Sequence, residues 1–496
     1  MARLASSGRR GADGGAARIT RRGLLEGLGA AAATAALPQW LRAAAPAAPG
    51  SARKPNFVII FTDDQGYQDL GCFGSPLIKT PNVDRMAAEG MKLTDFYVAS
   101  PVCSPSRSAL LTGCYPKRVG MHRGVLFPGS RTGLNPSEIT IAELLKQQGY
   151  ATCCIGKWHL GCLPEFLPTR QGFDSYLGVP YSNDMPTPTR DGGKGVVLLR
   201  DEKVLEHPTD LSTLTQRYTA EAVKFITANK DKPFFLYLPH TMPHTPLAVS
   251  GKFKGHNPQR GLYGDVIEEI DWSTGEILDA IRKLGLANDT LVIFTSDNGP
   301  WLIRGRDGGS ALPLRNGKGT TYEGGVREPC VVWWPGKVPP GRTCGELAAT
   351  IDLLPTLAKL AGTKAPSDRV IDGRDIWPLL SGQAGARSPH EAYYYYSSGG
   401  ALEAVRSGNW KLRVTKPRPP RRPKGKNGAK APAPPQRRPA PAETVELYDL
   451  AADIGEKDNV AAKHGDVVKR LRGMMEAFDA EVTTNARPVG TVTPPA

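Results

Sequence analysis

The chain has 496 residues, with 63 Lys+Arg against 48 Asp+Glu and a formal net charge of +15. That length suits one large domain with a smaller one, or two to three ordinary domains, and an apolar content of 40% allows a sizeable core. A nucleic-acid binder would carry its charge on a folded face; here residues 1–50 hold seven Lys/Arg and two Asp/Glu, residues 416–442 hold nine Lys/Arg and no acid, and the rest is nearly neutral, so no nucleic-acid partner is expected.

The N-terminal stretch "RITRRGLLEGLGAAAATAALPQW" pairs Arg21 with Arg22, continues as a mildly apolar Ala/Gly/Leu run and reaches Ala/Pro-rich sequence around Ala45 and Ala47. This order is similar to a bacterial twin-arginine export signal, although Leu24 and Glu26 depart from its usual preferences. Residues 1–50 are therefore expected to be signal and linker, with the protein exported to the periplasm or the medium. The run is too short for a spanning helix and no other stretch reads as one, so no stable membrane insertion is expected.

From Pro55 to about Leu380, short apolar runs alternate with helical patterns, the mark of an α/β sheet with helices on both faces. "NFVIIF" (56–61), "PFFLYL" (233–238) and "TLVIFTS" (290–296) are nearly continuous apolar runs, as expected of strands buried on both faces, and residues 151–155 make a further strand. Helices are expected over Leu214–Ala228 and about Asp265–Leu284, where Val266, Ile270, Ile277 and Ile281 recur at helical spacing and Gly285 supplies the stop. From about Gly385 the character changes. "EAYYYY" and "ALEAVRSGNWKLRV" suggest a small antiparallel sheet turning at Ser407-Gly408-Asn409, and Val467–Ala480 reads as a terminal helix. Between them, residues 416–442 combine nine prolines with nine basic residues, a composition expected to be disordered or extended, serving either as a polyanion contact or as a plain solvated linker. The expected plan is a main domain over 51–385, a C-terminal subdomain over 386–484 and a flexible tail over 485–496. The eight cysteines (72, 103, 114, 153, 154, 162, 330 and 344) have no zinc-ligand spacing, and their pairing is not assignable from sequence.

Chemistry gathers where the buried runs end. One delivers Asp63-Asp64 and another Asp297-Asn298, and in open α/β sheets ligands sit beyond the carboxyl ends of strands. Either pair alone could be a loop turn or a helix cap; together they offer three carboxylates and an amide oxygen, hard donors suited to Ca2+ or Mg2+. A second set is basic: Lys157 and His159 in "IGKWHLG", His240 and His244 in "LPHTMPHTPL", and Lys318 in "RNGKGTTYEGG". Cations gathered over a carboxylate-bound metal describe a site for a small tetrahedral oxyanion, sulfate or phosphate.

The remaining block is "CSPSRSALLTG", Cys103 to Gly113. A cysteine phosphatase loop needs five residues between Cys and Arg, whereas Arg107 lies four after Cys103, so that chemistry is excluded. C-x-P-S-R-x-x-x-L-T-G instead resembles the sulfatase signature, whose cysteine a separate formylglycine-generating enzyme oxidises to formylglycine (3-oxoalanine). With "FTDDQGYQDLGCFG", "GKWHLG", "LGVPYS", "TSDNGP", "GKGTTYEGGVREP", "IDLLPTLAKLAG" and "DGRDIWPLLSG" in order, the resemblance covers about residues 55–480 and is closest to arylsulfatase A-like members of the alkaline-phosphatase superfamily. It implies an α/β fold with a large mixed sheet sandwiched by helices and a small C-terminal antiparallel sheet plus helix. It further implies one Ca2+, with Mg2+ as the alternative, bound by Asp63, Asp64, Asp297, Asn298 and the modified Cys103. Arg107 and Lys157 would stabilise the hydrated aldehyde, and Lys157, Ser182, His244 and Lys318 would contact sulfate. His159 would take the proton that lets the covalent intermediate collapse, and His240 would be a supporting group. The implied substrate is a sulfated small molecule or glycan. The alternatives are a phosphonate monoester or phosphodiester hydrolase of the same superfamily, or a non-catalytic binder of sulfated glycans. Loops near 185–200, 245–262 and 300–315 are expected to form the substrate rim.

Overall fold

A computed structural model describes residues 53–416 and 443–493. The expected export signal and all of the basic segment except Lys416 lie outside the described residues. The strand Asn56–Thr62 sits at the centre of an eleven-stranded mixed sheet, flanked in parallel by Phe234–Pro239 and Thr290–Ser296, and every residue of the three is buried. Their unbroken apolar runs follow from burial on both faces. Phe57, Ile59 and Phe61 join one core with Phe235, Tyr237, Leu291 and Ile293. Val58 and Ile60 join the opposite core with Leu236, Leu238, Val292 and Phe294. The helix Leu262–Lys283, predicted from about Asp265, lays Val266, Ile270, Ile277 and Ile281 on the second core, and Gly285 follows it at φ 71°. Arg327–Trp333 pairs antiparallel to Thr290–Ser296, which makes the sheet mixed.

Register positions the site. Thr62 pairs with Ser296, so Asp63-Asp64 and Asp297-Asn298 leave adjacent strand ends side by side. Ala151–Ile155 runs parallel on the other side of Phe234–Pro239, and the Lys157 N–H donates to the Pro239 carbonyl (2.7 Å), bringing the Lys157–His159 turn to the same edge. The helix Cys103–Thr112 is buried along its whole length, and Gly113 closes it in the left-handed region at φ 68°. Cys103 therefore sits at the positive end of a helix dipole, with Arg107 one turn later on the same face.

The C-terminal sheet comprises Tyr393–Tyr396, Leu402–Ser407, Trp410–Thr415 and Thr444–Asp449, all antiparallel and paired in that order. Val405, Leu412 and Leu447 pack on Leu471 and Met475 of the helix Gly465–Thr484, while Tyr393, Tyr395 and Tyr396 face Tyr97 and Val98 of the main domain. The two sheets also share a buried ionic network. Lys411 pairs with Glu323 (2.9 Å) and Glu456 (2.8 Å), and Arg406 with Asp95 (2.6 Å).

Residues 485–493 correct the expectation of a flexible tail. Arg487 donates to both oxygens of buried Glu138 (2.7 and 2.9 Å), and Gly490-Thr491 pairs with Thr132-Gly133. A buried carboxylate needs a cation, and the polar composition of the segment concealed that role. All eight cysteines are free thiols. Among the described residues no helix is long and apolar enough to cross a membrane.

Candidate active site

Three carboxylates and three cations meet with almost no exposure to water. Asp63 accepts from Lys157 Nζ (2.5 Å) and lies 3.5 Å from Arg107 Nη2. Asp64 accepts from Lys318 Nζ on both oxygens (2.6 and 2.7 Å) and from Asn298 Nδ2 (2.7 Å). Asp297 takes two donors of Arg107 on Oδ2 (3.1 and 2.7 Å) and the Asp64 N–H on Oδ1 (3.1 Å). Burial works against ionisation of Asp63, but Lys157, with Arg107 and Lys318, holds its carboxyl well below the usual range. Asp297, where burial and Asp63 outweigh Arg107, is pushed up to about 7. Asp64 itself is held at φ 65°, a strained conformation for a residue with a side chain.

Cys103 Sγ stands among these groups, 3.4 Å from Asp63 Oδ1 and 3.6 Å from Lys318 Nζ. Burial and Asp63 push its thiol well above 9.0, so the unmodified side chain is a protonated thiol rather than a thiolate nucleophile. Lys157 also donates to Ser182 Oγ (3.1 Å), and Arg107 donates to the Lys157 carbonyl (2.9 Å). Arg107 lies over the Phe61 ring, with Cζ 5.6 Å from its centroid.

His159 and His244 have defined tautomers because each faces a carbonyl, which can only accept. His159 Nε2 faces the Leu126 carbonyl (2.8 Å) and so carries the proton, leaving Nδ1 as a buried lone pair without a partner. Burial, then Lys157 and Arg107, lower its pKa well below 6.5, so it is neutral. Its φ of 59° is a second strained conformation in the site. His244 Nδ1 donates to the Thr245 carbonyl (2.6 Å), which turns the Nε2 lone pair toward Asp64 Oδ2 at 3.6 Å.

A proton on His244 Nε2 or a cation beside Asp64 would each satisfy this contact. Ligand atoms of Asp63, Asp64, Cys103 and His244 lie within 4.8 Å of one another, and Asn298 Oδ1 is a buried acceptor with no donor. These oxygen-rich surroundings fit a hard divalent ion. Three carboxylates balance three cations here, so such an ion would leave the site positive toward an anionic substrate.

A family model described as Sulfatase matches residues 55–363, and one described as the C-terminal region of aryl-sulfatase matches 388–493. The chain belongs to the sulfatase family. Human arylsulfatase A is 43% identical over 466 residues, covering 87% of this chain and 90% of that one. N-acetylgalactosamine-6-sulfatase from Canis lupus familiaris is 43% identical over 390 residues, covering 75% and 74%. Among solved structures, the PsFucS1 sulfatase from Pseudoalteromonas sp. superposes with a TM-score of 0.75 at 29% identity, covering 88% of this chain and 92% of that one. Ps i-CgsB in complex with k-i-k-neocarrahexaose gives 0.73 at 30%, covering 88% and 94%. The protein is thus an arylsulfatase A-like sulfatase, an enzyme of sulfate ester hydrolysis.

In this sulfatase the side chains of Asp63, Asp64, Cys103, Arg107, Lys157, Ser182, His244, Asp297, Asn298 and Lys318 lie together. His159 lies beside them. The tightest ligand grouping contains His244 rather than Asp297, whose oxygens are taken by Arg107 and the Asp64 N–H. His240 is buried with both ring nitrogens unpartnered and is lowered by burial to about 4. Sequence reasoning did not single out Trp301, whose ring lies 5.3 Å from that of His244 and 4.6 Å from Lys318 Nζ. Its position directly after "DNGP" was the available signal. A cavity of about 1050 Å³ between Ser397–Glu403 and the terminal helix contains none of the catalytic candidates.

Proposed function

We propose that this sulfatase acts through formylglycine at position 103, installed by a formylglycine-generating enzyme. One Ca2+, with Mg2+ as the alternative, would be held by Asp63, Asp64, Asp297 and Asn298 with an oxygen from position 103. When present, the ion supplies electrophilic stabilisation and the hydrated aldehyde supplies two hydroxyls, one a nucleophile toward sulfur and one a route for sulfate release. The chain's own side chains do the rest. Lys157, positioned by Asp63 and Ser182, and Lys318, positioned by Asp64, offer N–H donors to sulfate oxygens. Lys318 stays charged, because Asp64 and then Asp63 outweigh the burial that would lower its pKa, and it offers a charged N–H donor to the leaving oxygen. His244 presents a lone pair at Nε2 and cannot donate there while neutral. His159 accepts a proton at Nδ1.

The observation that carries this reading is Cys103 itself. It is a fully buried side chain at a helix N-terminus, 3.4 Å from Asp63 Oδ1 and 3.6 Å from Lys318 Nζ, amid the charges a sulfate ester would require. The substrate class we assign is a sulfated carbohydrate or aryl sulfate. The sugar named in N-acetylgalactosamine-6-sulfatase and the neocarrahexaose bound to Ps i-CgsB support the carbohydrate arm. The Arg21-Arg22 segment supports export, with maturation at Cys103 preceding folding and transport; aldehyde found only in the exported form would refute that order. The test of activity uses protein matured with a formylglycine-generating enzyme and compares an aryl sulfate with the matched aryl phosphodiester, with Cys103→Ala as control. Sulfate release abolished by the substitution is expected; preference for the phosphodiester would overturn the assignment.

A further inference from the structure

Trp301 lies against two of the groups proposed to contact sulfate. Its half-buried indole touches Lys318 and His244 on the inner side, and Arg304 stacks on it with Cζ 3.9 Å from the ring centroid. The segment is held firmly: the Lys318 N–H donates to the Pro300 carbonyl (3.0 Å) and the Arg304 N–H to the Trp301 carbonyl (3.0 Å). Gly317 lets the two loops approach, because a Cβ there would meet Pro300 O at 2.3 Å. Arg304 is exposed and has no ion-pair partner among the described residues. A guanidinium held over an indole face can keep its edge N–H donors free for the two oxygens of a carboxylate or sulfate. Arg304 is linked to the reacting position by three successive contacts: Trp301 at 3.9 Å, Lys318 Nζ at 4.6 Å from the same ring, and Cys103 Sγ at 3.6 Å from Lys318 Nζ.

We infer that Trp301 and Arg304 form a leaving-group subsite that selects sulfated carbohydrates carrying a second anionic group near the ester. The inference rests on the sulfatase reading above. In it Arg304 recognises the second anion. Trp301 positions Arg304 on one side and limits the swing of Lys318 on the other. The exposed neighbours Leu302 and Ile303, the latter 83% exposed, continue the same rim and suit the apolar faces of a sugar chain.

The test separates binding from turnover. Full-length Cys103→Ala protein, loaded with Ca2+, is titrated calorimetrically with three ligands: a monosulfated neutral disaccharide, the same sugar carrying a uronate, and the same sugar carrying a second sulfate. The preference for the dianionic ligands over the neutral one should fall about tenfold in Arg304→Ala, as expected for loss of one charge-assisted contact, and should reverse in Arg304→Glu. Arg304→Lys should recover only part of it, and high salt should shrink it in the parent protein. Comparing the uronate and disulfate arms tells which anion is preferred. A preference unchanged by Arg304→Ala, or absent from the start, overturns the subsite. Matured wild-type protein is assayed in parallel on the same sugars. Failure of all three to release sulfate there, with the affinity difference intact, would count against the sulfatase reading and leave the subsite standing. In the same assay Trp301→Phe should keep the preference and Trp301→Ala should lose it.

Discussion

Lys411→Met is a direct test of how the C-terminal sheet supports the catalytic domain. Lys411 lies between Glu323 (2.9 Å) and Glu456 (2.8 Å) with all three side chains fully buried, and its Nζ sits 4.3 Å from the Tyr395 ring centroid. Methionine keeps most of the packing but removes the cation. Glu323 would retain Arg327 (3.3 Å) and the hydroxyls of Tyr97 (2.6 Å) and Tyr395 (3.1 Å), whereas Glu456 would retain only the Glu323 N–H (2.7 Å). Leaving one buried charge unpaired costs about 3–5 kcal/mol, a large share of the about 5–15 kcal/mol that stabilises a typical protein. Differential scanning calorimetry should show the midpoint falling by about 5–10 °C. Lys411→Met with Glu456→Gln removes the unpaired charge as well, and should recover about half of the loss. A shift of less than about 1 °C in the single variant, or a double variant no better than the single, would refute the assignment of this network as a structural lock.

Other outcomes follow from the same structure. Burial alone would raise Glu323, but Lys411, Arg327 and Arg406 bring it down from 4.5 to about 2. Its contribution to stability is therefore full above about pH 4.5 and lost as pH falls toward 2; acid titration of the unfolding free energy should show this loss in the wild type and not in Glu323→Gln. Lys318→Ala removes the donor that contacts Asp64 and Cys103, and should lower kcat by about 100- to 1000-fold in matured protein with little loss of fold by circular dichroism. Chelation should lower the thermal midpoint and Ca2+ should restore it, by about 2.7 kcal/mol when free ion is 100-fold above its Kd; an unchanged midpoint would remove the metal from the site. Arg487→Ala strips buried Glu138 of its two short contacts, and should destabilise by about 1–3 kcal/mol in urea titrations, where a true flexible tail would give nothing.

The sequence alone determined the strands that build the core, because runs buried on both faces must be apolar throughout. Asn56–Thr62, Ala151–Ile155 and Thr290–Ser296 fall where the composition placed them. It also pointed to the candidate reacting groups, through the carboxylates at two strand ends and the resemblance of the Cys103–Gly113 block to the sulfatase signature. Tertiary structure decided what depends on distance between chain-remote groups. The Thr62–Ser296 register brings Asp64 and Asn298 into contact, the Leu126 carbonyl sets the tautomer of His159, and Lys318 and Arg304 share the indole of Trp301. Arg487 and Lys411 look like ordinary surface cations in sequence. Only the fold reveals the buried carboxylates they neutralise, because the electrostatic cost of burying a charge arises only when water is excluded from both partners.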